Sequence, residues 1–423
     1  MPLPDLIEIV PPFQLPSRSA ITVPGSKSIT NRALILAALS SGQVTLNGAL
    51  WSEDTQVMTG CLRQLGFKVQ VQLDPAEDAN RIIRVQGLGG RIPNTGSVTH
   101  PLELFVGNAG TAARFLAAMV CLGEGVFRLS GVPRMHQRPQ AGLFAALRAL
   151  GYRVESSDDH LPALIFGTGP RVAQCEVSVL ESSQYASALL MPAGFAGWQV
   201  AVTGANADEL PYVEMTRRLI AEFPEQEGHF QIEPDASSGS YFWGAAQLLG
   251  RDRISVNHWP NSGWQVDARY PHFMDLPEEI SRERDLGDSI MTAITLAPLA
   301  GRTVRFTDLG RLRVQECERV QALRTELTRC GARVIEDGDT LIVEPSELHG
   351  AEVETYDDHR IAMCFATLSL KVGGLRLRNP SCVRKTFPNF FQKLSMAAPQ
   401  GLGVTVLDPR TGQPLPLHAL VAE

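Results

Sequence analysis

The sequence predicts an α/β (α+β) protein of two domains, each built from three copies of a mixed βαβαββ-like module. Three observations predict it. A polar or charged cluster, a helix rich in small apolar residues and a short alternating strand recur in that order six times. A second segment, an amphipathic helix stopped by glycine and followed at once by a strand, recurs three times. Finally, 423 residues exceed one ordinary core, and repeated units must share buried faces to stabilise one another.

The first element is a strand around 20–23, which precedes the first cluster and could pair with either half of the chain. The six clusters are Ser26-Lys27-Ser28, Asn108-Ala109-Gly110-Thr111, Ser182-Ser183-Gln184, Asp235-Ala236-Ser237-Ser238, Gly287-Asp288-Ser289 and Asp358-His359-Arg360. Stretches such as 33–39 and 185–191 follow them, with the Ala and Leu content of helices. The strands come next, at 44–47, 126–129, 200–203, 254–256, 304–307 and 375–378. The second repeat covers 62–69, 147–154 and 323–334, with glycines at Gly66, Gly151 and Gly331, and further strands at 81–85, 163–166 and 340–343. Asp235 opens the fourth cluster, so the second half begins near it. The tail after Met396, rich in Gly and Pro, reads as peripheral.

Helix N-termini carry unpaired N–H groups and partial positive charge, so clusters at six helix starts point to phosphate or carboxylate binding. Ser, Asp, Asn and Thr there are also ordinary N-caps. Capping alone does not require Lys27, Arg32, Arg114 and Arg360 beside them.

Composition narrows the function. Hydrophobic content of 44% and charged content of 20% belong to a soluble globular protein, and no stretch approaches the roughly 20 apolar residues of a membrane span. The acidic, proline-containing start does not read as a signal peptide, so the expected location is cytoplasmic. Seven cysteines with no CxxC pair argue against disulfides and a zinc site and read as packing residues. A net charge of −7 without a basic run argues against nucleic acid.

The segment from Pro24 to Arg32 has the Gly, Ser and Lys of a phosphate-binding loop, but Ser26 stands between Gly25 and Lys27, which disfavours a nucleoside triphosphatase. Gly107 to Arg114 offers two glycines and a hydroxyl at a helix start, and Arg138 adds a guanidinium suited to phosphate or carboxylate. Glu316 and Arg319 lie three apart on one helical face, which also fits a solvated ion pair. Arg360 and Lys385 complete a dispersed set of cations.

Together, Pro24-Gly25-Ser26-Lys27-Ser28 with Asn31-Arg32, Gly107-Asn108-Ala109-Gly110-Thr111-Ala112 with Arg114, Pro133-Arg134-Met135 with Arg138-Pro139, Asp357 to Met363, and Lys385-Thr386-Phe387-Pro388 resemble the 5-enolpyruvylshikimate-3-phosphate (EPSP) synthase family, from about Val23 to Lys393. The resemblance implies the two-domain inside-out α/β barrel of enolpyruvyl transferases, with domains at 1–25 plus 235–423 and at 26–234. It implies transfer of the enolpyruvyl group of phosphoenolpyruvate to the 5-hydroxyl of shikimate 3-phosphate in the shikimate pathway, by a monomer without metal or organic cofactor. Two joined domains should close on the acceptor.

By the same resemblance Lys27, Gly110, Arg138, Gln184 and Lys385 hold the donor's phosphate, and Arg319 and Arg360 its carboxylate. Ser28 and Arg32 take the shikimate carboxylate, with Ser182 and Ser183 near the acceptor's phosphate. Asp288 is the candidate base for the acceptor hydroxyl, and Glu316 with Lys27 handles the other proton transfers. Gly110 leaves room beside the donor phosphate, so glyphosate-type mimics should inhibit.

The pattern departs from the family at Gln315, where Lys is usual, at Glu209-Leu210 before Pro211-Tyr212, where Ser and a basic residue are usual, and at Phe115 in place of Pro. An amide and a carboxylate weaken a dianion site, and Arg311, one turn earlier, would restore the charge. The alternative readings are an enolpyruvyl transferase for another, unphosphorylated cyclic hydroxy acid, and a non-catalytic anion-binding protein. A UDP-N-acetylglucosamine enolpyruvyl transferase is disfavoured, because the loop 134–138 lacks its acid cysteine.

Overall fold

The computed structural model describes residues 3–12, 18–204 and 209–422. The chain divides into two compact units, one continuous, Gly25–Glu233, and one discontinuous, Met1–Pro24 with Pro234–Glu423.

In the continuous unit, helices Lys27–Leu39, Gly110–Met119 and Ser183–Ala196 begin at the first three clusters and pack on one another. Their Ala and Leu faces are buried nearly all round, the mark of helices inside a core. Sheets supply the other layer. Gln43–Leu50 runs parallel to Gly228–Gln231 and antiparallel to Asn80–Gln86, which pairs with Val69–Leu73. Glu124–Ser130 repeats the arrangement with Leu102–Phe105, Ala163–Thr168 and Arg153–Glu155. Ala173–Ser178 and Trp198–Thr203 form a parallel pair.

The discontinuous unit repeats the plan. Helices Ala236–Leu249, Ile290–Leu296 and His359–Leu368 pack together. Gly244 permits their close approach, since a Cβ there would lie 2.9 Å from Leu296 Cδ1 and 3.0 Å from Thr292 Cγ2. Val304–Thr307 is parallel to Glu279–Ser281 and antiparallel to Thr340–Glu344, which pairs with Arg333–Asp337.

Parallel strands need a crossover, and four of the cluster helices cross between the strands that flank them in sequence. The other two exchange partners. Ser19–Ile21, which precedes the first cluster, pairs with Ile254–Val256 of the discontinuous unit, while Gly228–Gln231, which precedes the fourth, pairs with Gln43–Leu50 of the continuous one. The strand that sequence left open between the halves therefore belongs with the second.

The three glycine-stopped helices, Glu53–Gln64, Ala141–Ala149 and Arg319–Arg329, end alike. Gly66, Gly151 and Gly331 take φ of 92°, 87° and 95°, a conformation that suits glycine. The next N–H turns back to the carbonyl of Leu62, Leu147 or Leu327, the six-to-one bond of a Schellman stop.

The tail after Met396 is not peripheral. Thr405–Asp408 pairs with Leu6–Val10 inside a five-stranded sheet, and Leu402, Val404, Val406 and Leu420 are buried in the core. Its Gly and Pro residues mark the turns around a short buried strand, whose alternation is only three apolar residues long. Six of the seven cysteines are buried and Cys317 half-buried, all as free thiols. Among the described residues no helix is long and apolar enough to cross a membrane.

Candidate active site

Each cluster stands after a strand of a parallel pair and before a buried helix, the position where open α/β sheets collect ligands. The helix starts are not satisfied in one way. Ser182, Asp235 and Asp358 cap their helices with side-chain oxygens, whereas Ser26, Ala109 and Ser289 make no such bond.

In the continuous unit, Lys27 Nζ lies 3.2 Å from Asp54 Oδ2. At the Gly110 helix the absence of a side chain admits two guanidiniums. A Cβ on Gly110 would lie 2.6 Å from Arg138 Nη2 and 2.7 Å from Arg114 Nη1. Arg138 donates to the Asn108 carbonyl at 3.1 Å, and Arg114 to those of Gly110 and Pro139 at 3.1 and 2.6 Å. Tyr185 donates to the same Pro139 carbonyl at 2.9 Å, which ties the second and third cluster helices together. The side-chain oxygen of Asn108 is buried without a hydrogen-bond partner among the described residues.

Arg32 is buried and held on three sides, donating to Thr216 Oγ1 at 2.7 Å, the Ser28 carbonyl at 2.9 Å and Ser187 Oγ at 3.1 Å. Its guanidinium sits 5.2 Å from the ring centroid of Phe115, which gives that departure from the family a cation–π role. Burial lowers its pKa to about 10, so it stays charged. Ser182 caps the third helix by accepting the Gln184 N–H at 3.2 Å. The buried Glu209 carboxylate takes the neighbouring Ser183 N–H at 2.5 Å. A residue that stood out in sequence only as a departure thus meets one of the residues assigned to the acceptor.

The discontinuous unit joins its cluster helices by charge. Asp358, fully buried, caps its helix by accepting the Arg360 N–H at 2.8 Å and pairs with Arg319 Nε at 2.7 Å. Arg319 Nη2 donates to Glu316 at 2.8 Å, and Glu316 pairs with Lys385 Nζ at 3.2 Å. Asp288 faces Arg360 Nη2 at 3.1 Å, Arg282 Nη2 at 3.1 Å and Arg319 Nη1 at 3.6 Å. Asp267 accepts the Ser289 N–H at 2.9 Å and the Ser237 hydroxyl. Burial pushes the Asp288 carboxyl up, but Arg360, Arg319 and Arg282 outweigh it and hold the group well below the usual carboxylate range. Asp267 moves the other way, raised by burial and by Asp288.

Asp288, the neighbouring Glu316 and Arg319, Arg360 and Lys385, drawn from four separate stretches of the sequence, thus form one connected network. Glu316 and Arg319 meet, but not on a helical face: Glu318 is the N-cap and Arg319 the first helical residue, so Glu316 lies in the loop before it. Arg311 lies in the 3₁₀ turn Gly310–Val314 and Gln315 follows it, its buried amide oxygen without a hydrogen-bond partner among the described residues. Sequence reasoning gave no role to Arg282, Asp267 or Asp54, and took Asp358 only as a member of its cluster, not as the partner of Arg319. Arg282 sits in a charged run, 282–285, that reads as solvated surface, and only the fold turns it inward.

Two kinds of comparison bear on this arrangement. A family model described as EPSP synthase (3-phosphoshikimate 1-carboxyvinyltransferase) matches residues 15–226 and 277–394. The 3-phosphoshikimate 1-carboxyvinyltransferase of Trichormus variabilis is 36% identical, covering 91% of this chain and 97% of its own. That of Opitutus terrae is 38% identical, over 93% and 98%. Among solved structures, EPSP synthase from Acinetobacter baumannii superposes with a TM-score of 0.74 at 19% identity, covering 95% of this chain and all of its own. The enolpyruvyl transferase NikO from Streptomyces tendae superposes with a TM-score of 0.67 at 16% identity, over 97% and 99%. These two share the enolpyruvyl transferase fold with this chain.

Proposed function

The chain belongs to the EPSP synthase family, enzymes that transfer the enolpyruvyl group of phosphoenolpyruvate to the 5-hydroxyl of shikimate 3-phosphate, and from that premise we propose how its residues divide the work. Lys27, Gly110, Arg138, Gln184 and Lys385 receive the donor's phosphate, and Arg319 and Arg360 its carboxylate. Ser28 and Arg32 take the ring carboxylate of the acceptor. Ser182 and Ser183 meet its phosphate, with Arg311 supplying the charge that Gln315 lacks.

Asp288 accepts the proton of the 5-hydroxyl as the oxygen bonds to C2 of phosphoenolpyruvate, while an acid, Lys27 or Glu316, protonates the methylene carbon. The tetrahedral adduct then loses phosphate and one proton from the new methyl group, which regenerates the double bond. The enzyme acts in the cytoplasm as a monomer. The observation that carries this division is Arg319 Nη1, a guanidinium nitrogen that is buried, lacks a hydrogen-bond acceptor among the described residues and lies 3.6 Å from Asp288. Buried donors are ordinarily satisfied, and a substrate carboxylate beside Arg360 is the acceptor that fits.

The test is phosphate release from phosphoenolpyruvate with shikimate 3-phosphate, run beside shikimate and quinate. Release with the phosphorylated acceptor alone is expected. Release only with another acceptor would reassign the substrate and make Glu209 and Gln315 its markers. Arg311→Ala should raise the acceptor's KM far more than the donor's, and equal effects would remove Arg311 from the acceptor's phosphate.

A further inference from the structure

The three guanidiniums around Asp288 are not anchored alike. Arg319 is fixed through Nε and Nη2 by Asp358 and Glu316, with Nη1 left to face Asp288. Arg360 reaches Asp288 from the first turn of the His359–Leu368 helix. Arg282 comes from the end of the Glu279–Ser281 strand, with a side chain only 3% exposed. Its backbone N–H donates to the Thr307 carbonyl at 3.1 Å. The chain then folds back, Asp285 N–H to the Ser281 carbonyl at 3.0 Å and Ser281 N–H to the Asp285 carboxylate at 2.9 Å. The other charged or titratable groups around the network include Asp267, Glu316, Asp358 and Lys385, then His359 and Cys317 beside Asp358, and Asp235, Tyr241 and Cys364 beside Arg360. Arg282 has no part in the division of donor and acceptor contacts given above.

We infer that Arg282 is a positioning residue, which keeps Asp288 in place and ionised when Arg319 and Arg360 turn to the carboxylate of the donor. The inference rests on that assignment of Arg319 and Arg360. A buried carboxylate stripped of its partners is costly to leave charged. Without Arg282, Asp288 would either hold the two arginines back from the donor or take up a proton, and each outcome harms the reaction. With Arg282 it keeps one fixed cation, while the loss of two lets its basicity rise toward the ordinary carboxylate range at the moment a base is needed.

The experiment is calorimetric binding of phosphoenolpyruvate to the full chain in four forms: wild type, Arg282→Met, Asp288→Asn and the double variant. Arg282→Met should weaken donor binding by about tenfold in the wild-type background, and by less than about twofold beside Asp288→Asn, where no charge remains to be held. Equal losses in both backgrounds, or none in either, would overturn the inference. Should Arg282→Met not fold, Arg282→Lys, which keeps the charge but not the fork, enters the same cycle with a smaller expected loss and the same deciding comparison. In turnover, the acid limb of kcat should move up by about 1–3 pH units in Arg282→Met, whereas a merely structural role lowers thermal stability and leaves the limb in place. Absence of phosphate release by the wild type with every acceptor would sink the functional reading, while the binding cycle would still decide the role of Arg282.

Discussion

The two units hold their cations in different ways. In the continuous unit Arg32, Arg114 and Arg138 are bonded to backbone carbonyls and hydroxyls, while Asp54 and Glu209 bring carboxylates to Lys27 and to the Ser183 N–H. In the discontinuous unit Arg282, Arg319, Arg360 and Lys385 all face carboxylates, those of Asp288, Asp358 and Glu316. Carbonyl partners orient a guanidinium without cancelling its charge, so Arg32, Arg114 and Arg138 keep theirs, which would suit the dianion proposed above. Carboxylate partners bring a cluster close to neutrality, which suits a ligand of one charge and keeps an ionised base at hand.

The sharpest test of that contrast is stability. Asp358→Asn takes from the buried Arg319 its most buried carboxylate, leaving Glu316 and Asp288, and should lower the unfolding free energy by about 3 kcal/mol, the lower end of the cost of breaking one side of a buried pair. Asp54→Asn, which loosens a more accessible pair with Lys27, should cost about 1 kcal/mol. Both are read from guanidinium unfolding curves, and equal losses would erase the distinction between the units. Asp288 adds a pH signature. Its folded pKa lies below the unfolded one, so its contribution is present above the ordinary carboxylate range and disappears as pH falls through and below that range. Asp288→Asn should therefore flatten the acid side of the stability curve, and an unchanged slope would mean that the three arginines do not act on it.

In the continuous unit the equivalent perturbation is Gly110→Ala. Its Cβ would displace the ends of Arg138 and Arg114 rather than backbone, so the fold should survive and, on the proposed assignment, the donor's phosphate should lose the Arg138 contact. We expect the KM for phosphoenolpyruvate to rise by about tenfold with that of the acceptor unchanged, as one charge-assisted hydrogen bond would give. Inhibition by a glyphosate-type mimic should weaken further than donor binding does, because the mimic fills space beside the same glycine. Parallel changes in both substrates' KM would show that Gly110 serves packing instead.

The repeat was legible because it is written in local signals. Small apolar helices, glycine stops and short alternating strands each announce themselves within a dozen residues, and all six cluster helices and all three glycine stops stand where those signals put them. The exchange of Ser19–Ile21 and Gly228–Gln231 between units was not, because a parallel strand's partner is set by tertiary packing rather than by its own alternation. Individual cations near caps stood out, as Lys27, Arg32, Arg114 and Arg360 did. Carboxylates that act by pairing were missed: Asp358 reads as an ordinary N-cap, and it is one, while also anchoring Arg319. Arg282 was hidden by its charged neighbours. Its inward path depends on Thr307, a residue 25 positions away.

Glu209 is a carboxylate that meets the start of the third cluster helix in the positive unit, and it offers the smallest but most specific test. Its oxygen takes the Ser183 N–H at the start of a 14-residue helix, where an acceptor phosphate would meet both a filled donor and a like charge. Glu209→Gln keeps an oxygen for that N–H and removes the charge. The KM for shikimate 3-phosphate should then fall by about three- to tenfold, as relief of one like-charge contact would give, while the kinetics with shikimate, which carries no phosphate, stay as they are. Initial rates of phosphate release at saturating phosphoenolpyruvate read both. A KM that rises for shikimate 3-phosphate, or falls equally for the two acceptors, would make Glu209 a plain helix cap and leave the continuous unit's positive charge untouched by it.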